Sequence, residues 1–256
     1  MNTLSPRQQA ILNRIIDLYI DSAQPVGSKQ ITELFTRLYH SSYSPATVRN
    51  EMGALEELGY LTHPHTSAGR MPTDLGYRYY VDYSLREELP PADTLKKVAA
   101  DLMKAAHEAE LLAEKFSAAL SVLSGQVGIV TVAVGGGKPR RKVFVQGTSC
   151  LFDEPEFSRP GLLKSIFKVL EDHESLQACL EKTETRSRIS ISIGGENKAP
   201  ELKPCSVLAS HYVSGGSCEG TLALMGPRRM RYSRLVPLVA RMSALMENIL
   251  EEGESQ

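Results

Sequence analysis

Arg49 and Asn50 stand side by side in the stretch SPATVRNEMGALEELG, residues 44–59, with Thr47 two positions before them. An arginine fork bridges guanine O6 and N7, an asparagine amide bridges adenine N6 and N7, and a threonine offers a hydroxyl and a methyl. These three side chains are therefore chemically fit to read base edges; the alternative for them is a solvated surface. Ser44 and Ala46 complete this candidate set, and the small Ala46 and Gly53 would let a backbone approach a groove closely. A second group lies at His63, His65, Thr66, Ser67, Gly69 and Arg70. Hydroxyls, open backbone amides and a single guanidinium are groups that bond phosphate oxygens or enter a narrow minor groove. Arg70 is the foremost candidate among them. His63-x-His65 is also a conceivable metal pair, but no third ligand at helical spacing is near, so neither a metal nor another cofactor is expected.

The elements that must position these residues are legible from caps and apolar spacing. Ser5-Pro6 is a helix start, followed by a stripe of Ile11, Leu12, Ile15, Leu18 and Tyr19. Pro25-Val26-Gly27 breaks the chain, and Ser28 is expected to cap a second helix with Ile31, Leu34 and Leu38 inward. Ser44-Pro45 repeats the start signal for a third helix over 45–58, with Val48, Met52, Leu55 and Leu58 on its core side and Gly59 as terminator. Residues 60–72 then read as a hairpin with an irregular tip, and Thr73 or Asp74 starts a fourth helix bearing Tyr77, Tyr79, Tyr80 and Tyr83. Helix, helix, capped helix and hairpin is the order of a winged helix-turn-helix, whose third helix enters the major groove.

Beyond Leu89-Pro90-Pro91 the pattern changes. Leu95, Val98, Leu102, Ala105, Ala109, Leu112, Phe116, Ala119 and Leu123 alternate three- and four-residue steps, which predicts one long helix over 92–124. It is expected either to join a coiled coil or helical hairpin, or to lie on its own domain. Strands follow at Gln126–Val134 and Lys142–Gln146, a helix at Pro160–Leu180, strands at Arg188–Ile193, Val207–Val213 and Thr221–Leu224, and a helix at Ser233–Leu250. The expected division is thus a winged helix-turn-helix at 1–90, a linker or dimerisation helix at 91–125 and an α+β domain at 126–256.

Composition bounds the function. Of 256 residues, 42% are hydrophobic and 23% charged, the balance of a globular chain that can bury a core. A net charge of −1, and eight Lys or Arg against eight Asp or Glu in the first 86 residues, give no bulk attraction to nucleic acid or membrane. Any nucleic-acid affinity must come from a few placed contacts and from duplication in a dimer. No apolar run is long enough to span a membrane, and the start, MNTLSPRQQA, lacks the apolar core of a secretory signal; a cytoplasmic protein is expected. Cys150, Cys179, Cys205 and Cys218 form no CxxC pair and read as buried reduced thiols. Gly135-Gly136-Gly137-Lys138 lacks the spacing of a phosphate loop and reads as a hairpin or junction. Arg228, Arg229, Arg231 and Arg234 read as a solvated, partly ion-paired face. With no nucleophile–base or acid–base constellation, the chain is not expected to be an enzyme.

Three runs carry a family resemblance: PVGSK at 25–29, SPATVRNEMGALEELGYL at 44–61 and PHTSAGRMPTDLGYRYYVD at 64–82. They closely resemble the HrcA heat-inducible transcription repressors. VQGTSCLFDEPEF (145–157), IGGEN (193–197) and GTLALMGPRRMRYSRLVPLV (220–239) resemble the same family more loosely. The resemblance implies a repressor of chaperone operons that binds an inverted-repeat operator on double-stranded DNA as a homodimer. It also implies a GAF-like second domain, a chaperonin of the GroE type as partner, and loss from DNA under heat stress. On this chain the recognition helix is then 45–58 and the wing 60–72. The sequence departs from the family between Gly125 and Lys142, where about 16 residues replace further GAF-like elements and an inserted domain implicated in dimer contact. The alternative function is a chaperone- or ligand-responsive interaction protein whose winged helix serves protein contacts.

Overall fold

A computed structural model describes residues 4–39, 43–65, 69–105, 108–134, 140–180, 188–214 and 217–254. The chain forms two compact units, Met1–Arg86 and Glu87–Gln256.

In the first unit α1 spans Pro6–Ser22, α2 Ser28–Tyr39, α3 Pro45–Glu57 and α4 Asp74–Tyr83, with β1 (Leu61–Thr62) and β2 (Met71–Pro72) between the last two. Local chemistry sets these limits. Ser5 and Gln8 form a reciprocal capping box, the Ser5 hydroxyl accepting from the Gln8 amide at 3.2 Å and Gln8 Oε1 accepting from the Ser5 amide at 3.0 Å. Ser28 is the first residue of α2 rather than its cap. The position before it is Gly27, whose amide donates to Gln30 Oε1 at 2.8 Å, the N3 half of a capping box. Thr73 caps α4 by accepting from the Gly76 amide at 3.1 Å.

The core of this unit joins Ile11, Leu12, Ile15 and Ile16 of α1 to Ile31 and Phe35 of α2, and to Val48, Met52 and Leu55 of α3, all buried. Leu34 is only half-buried, Phe35 having taken the inward position, and Leu38 lies outside the described side chains. Tyr77 and Tyr80 of α4 are buried as well, the Tyr80 hydroxyl donating to Asp17 at 3.0 Å.

The second unit is a five-stranded antiparallel sheet in the order β4-β3-β7-β6-β5. The strands are β3 (Val127–Val134), β4 (Arg140–Gln146), β5 (Ile189–Ile193), β6 (Cys205–Ser214) and β7 (Ser217–Pro227). Helices α5 (Ala92–Met103) and α6 (Ala109–Ser124) precede the sheet, α7 (Pro160–Glu171) and α8 (His173–Leu180) interrupt it, and α9 (Tyr232–Glu254) closes the unit. Side chains alternate between the faces of a strand. Val127, Ile129, Val207, Ala209, Ala223 and Met225 accordingly form one core with Ile166, Val169 and Leu170 of α7 and Leu176 and Leu180 of α8. The opposite face, including Val130, Leu208, Leu222 and Leu224, is equally buried, with α6 and α9 against it.

Two helices expected from the sequence are each divided. The stretch 92–124 is not one continuous helix: α5 ends at Met103 and α6 begins at Ala109. The seam positions flanking the break, Ala105 and Ala109, offer too little apolar area to hold a continuous stripe, whereas the sheet offers α6 a broad apolar face. Its buried set is Leu112, Ala113, Phe116, Ser117, Leu120 and Ser121, a 3.6-residue stripe that leaves Ala119 and Leu123 half-buried. Close approach fixes the contact, because a β-carbon on Gly128 would lie 2.2 Å from the Ser117 carbonyl oxygen. Likewise Pro160–Leu180 is two helices, since Asp172 leaves helical geometry and its carboxylate caps α8, accepting from the Glu174 amide at 3.2 Å and the Ser175 hydroxyl at 2.5 Å. The strands fall where the sequence places them, β6 and β7 running longer than expected. Residues 135–139 lie outside the described residues.

Because α6 is part of the sheet's core, Phe116→Ala is expected to destabilise the second unit by about 3–5 kcal/mol. Val122→Ala, at a position 83% exposed, should stay within about 0.5 kcal/mol of the parent. Urea unfolding of both variants checks this, and a Phe116→Ala curve overlying the parent's would remove α6 from the core.

Candidate nucleic-acid interface

The third helix is held from behind and open in front. Ser44 sits in extended geometry, its hydroxyl accepting from the Thr47 amide at 3.1 Å, and Pro45 supplies the preset φ of the first turn. Gly59, at φ +82°, ends the helix as expected. Val48, Met52 and Leu55 are buried, while Ala46, Arg49 and Asn50 are exposed. These outward residues, with Gly53, recur at the three- and four-residue steps that share a helix face. A β-carbon at Gly53 would meet nothing within 4 Å, so this face is bare along two turns. Thr47 is half-buried, and its hydroxyl lies 2.9 Å from that of Ser44, so both hydroxyls serve the cap.

The wing is short. Leu61 pairs with Pro72 and Thr62 with Met71. A third segment joins through the bridge between Val26 and Arg70, each amide donating to the other's carbonyl at 2.8 Å. Gly69 makes this approach possible, since a β-carbon there would fall 2.5 Å from the Val26 carbonyl carbon. His65 is exposed; Thr66 and Ser67 lie outside the described residues. Arg70 is half-buried, with its Nε 2.8 Å from Glu56 Oε2 of α3, and His63 Nδ1 contacts the other oxygen of the same carboxylate. The structure thus gathers Ser44, Ala46, Thr47, Arg49 and Asn50 at the first turns of one helix, and ties Arg70 to that helix through a residue the sequence analysis did not select. The signal for Glu56 was available in part. It stands two turns after Arg49, on the same flank, and two side chains able to carry positive charge flank the wing tip.

Two arginines beside the start of α9 are engaged in ion pairs away from this interface. Arg229 lies between Glu154 and Glu156, with Nε 2.5 Å from Glu156 Oε1, and burial holds the Glu154 carboxyl above the usual range despite that arginine. Arg234 pairs with Glu88 at 2.9 Å. Cys205 is fully buried, which pushes its thiol up to about 12. Among the described residues no three His, Cys, Asp or Glu converge on a point that would hold a metal ion. Nor is any described helix long and apolar enough to cross a membrane.

A capped helix bare on its outer face, beside a two-stranded wing and followed by a separate α+β unit, defines a transcription regulator of the winged helix-turn-helix class. Residues 3–82 match the family model for the winged helix-turn-helix transcription repressor HrcA, DNA-binding, and residues 93–236 match that for the HrcA protein C terminal domain. The chain belongs to the HrcA family. It is 27% identical to the heat-inducible transcription repressor HrcA of Desulforamulus reducens, over 342 aligned positions that cover 97% of each chain. With the protein of the same name from Geobacter sulfurreducens it is 27% identical over 344 positions, covering 98% of this chain and 99% of that one. Since this chain has 256 residues, at least 86 positions of the first alignment and 88 of the second hold none of its residues. A solved structure described as a hypothetical protein shares the fold, with a TM-score of 0.74 at 17% identity and coverage of 98% of this chain and 100% of that chain.

Gly69→Ala is expected to break the Val26–Arg70 bridge, because the added carbon has only backbone to displace. Hydrogen exchange at the Arg70 amide should speed up at least about tenfold while the amides of α1 keep their protection. Unchanged exchange at Arg70 would show that the segment has room for a side chain.

Proposed function

We propose that the chain is a sequence-specific repressor of heat-shock chaperone operons that binds an inverted-repeat operator as a homodimer and leaves it under heat stress. The observation that carries this reading is the exposed Arg49–Asn50 pair on a helix whose opposite face is fully buried. In this reading Ser44, Ala46, Thr47, Arg49 and Asn50 meet the major groove, and His65, Thr66, Ser67 and Arg70 meet the backbone or minor groove. Membership of the HrcA family, and its likeness to heat-inducible transcription repressors, support repression and heat induction. The even charge of the first 86 residues supports the dimer, because one module offers few phosphate contacts and two must act together.

The second unit is read as a reduced GAF-like domain, supported by its antiparallel sheet with helices on both faces. A chaperonin of the GroE type is the proposed partner, and the cytoplasm the proposed location.

Arg49→Ala should weaken binding to an inverted-repeat chaperone operator by about 1–3 kcal/mol and relax base preference at the position it reads. Fluorescence anisotropy against operator and scrambled duplexes measures both. A variant that binds the two duplexes as the parent does would remove α3 from the interface.

A further inference from the structure

Glu56 is a carboxylate on the same flank of α3 as Arg49, two turns further on. On a surface that meets phosphates, a negative charge weakens binding unless it performs another task. Its surroundings identify that task. One oxygen contacts His63 Nδ1 and the other lies 2.8 Å from Arg70 Nε, and the three side chains are only 24%, 33% and 22% exposed. His63 leaves β1 and Arg70 enters β2, so the two partners stand at the two feet of the wing. The strands themselves are two residues each, too few to fix the direction of a hairpin. The bridge to Val26 anchors the backbone of the returning foot at Arg70. The outgoing foot at His63 is tied to the helix through Glu56.

We infer that Glu56 is a positioning residue for DNA recognition: it latches both feet of the wing to the recognition helix, so that wing and helix strike the duplex in one fixed relation. Arg70 serves the latch as the cation of its ion pair with Glu56, whatever else its guanidinium meets. The inference rests on the operator-binding reading above and adds to it how two separate reading elements are kept in register.

Electrostatics and positioning predict opposite signs, which makes the test decisive. The full chain first selects a preferred duplex from a randomised pool, and the probes are that duplex and a scrambled one of equal composition. If Glu56 is only a nearby charge, Glu56→Ala removes a repulsion and both affinities rise together. If it is a latch, Glu56→Ala loses about tenfold on the selected duplex, while the scrambled duplex, bound through phosphates alone, is held equally well or better. Glu56→Gln keeps the shape and one acceptor oxygen, so it should recover part of the loss. It also supplies the same two numbers if thermal melting shows that Glu56→Ala does not fold. Equal gains on both duplexes, or no change on either, would overturn the latch while leaving the DNA-binding reading intact. A parent chain that selects no duplex would overturn that reading and the latch with it.

Discussion

Val48, Met52 and Leu55 disappear completely behind α3, and what that helix presents outward follows from their burial. Turning the helix to expose any one of them would cost on the order of 1.5–3 kcal/mol of apolar burial. The helix therefore has one rotational setting, with Ala46, Arg49 and Asn50 facing out. The start is equally constrained, since the Ser44 hydroxyl accepts from the Thr47 amide and Pro45 admits one range of φ. Adjacent structure inherits this position. Gly59 turns the chain out of the helix, β1 and β2 run as the wing, and Glu56 reaches from the same helix to both wing feet.

The winged module was largely legible because its signals are local. A serine followed by proline, a buried stripe at helical spacing and a terminal glycine act within a few residues, and the expected third helix, 45–58, ends one residue from the observed Pro45–Glu57. The strands of the second unit were legible for the same reason, short runs rich in β-branched residues such as VGIVTVAV being set off by turn-forming neighbours. What escaped depended on partners distant in sequence. The seam over 92–124 satisfies a heptad on paper. Its alanines carry little weight once a sheet face becomes available to Leu112, Phe116 and Leu120, so the helix breaks and its stripe rotates. Glu56 escaped because its role is set by His63 and Arg70 across a turn, and charge alone marks it as one more surface acid.

The second unit answers a different demand. Its sheet is buried on both faces, by α7 and α8 on one side and α6 and α9 on the other, which uses most of its apolar residues internally. The unit thereby closes its core on the described strands and helices alone.

Operator recognition in this mechanism requires two copies of α3 reading one inverted repeat together. The most direct measurement is binding of the full chain to an inverted-repeat chaperone operator and to its isolated half-site, each at two salt concentrations. Tight binding to the full repeat alone, two chains per duplex and weakening as salt rises, is the expected result. Equal, weak binding to the repeat and the half-site, with one chain on each, would contradict it.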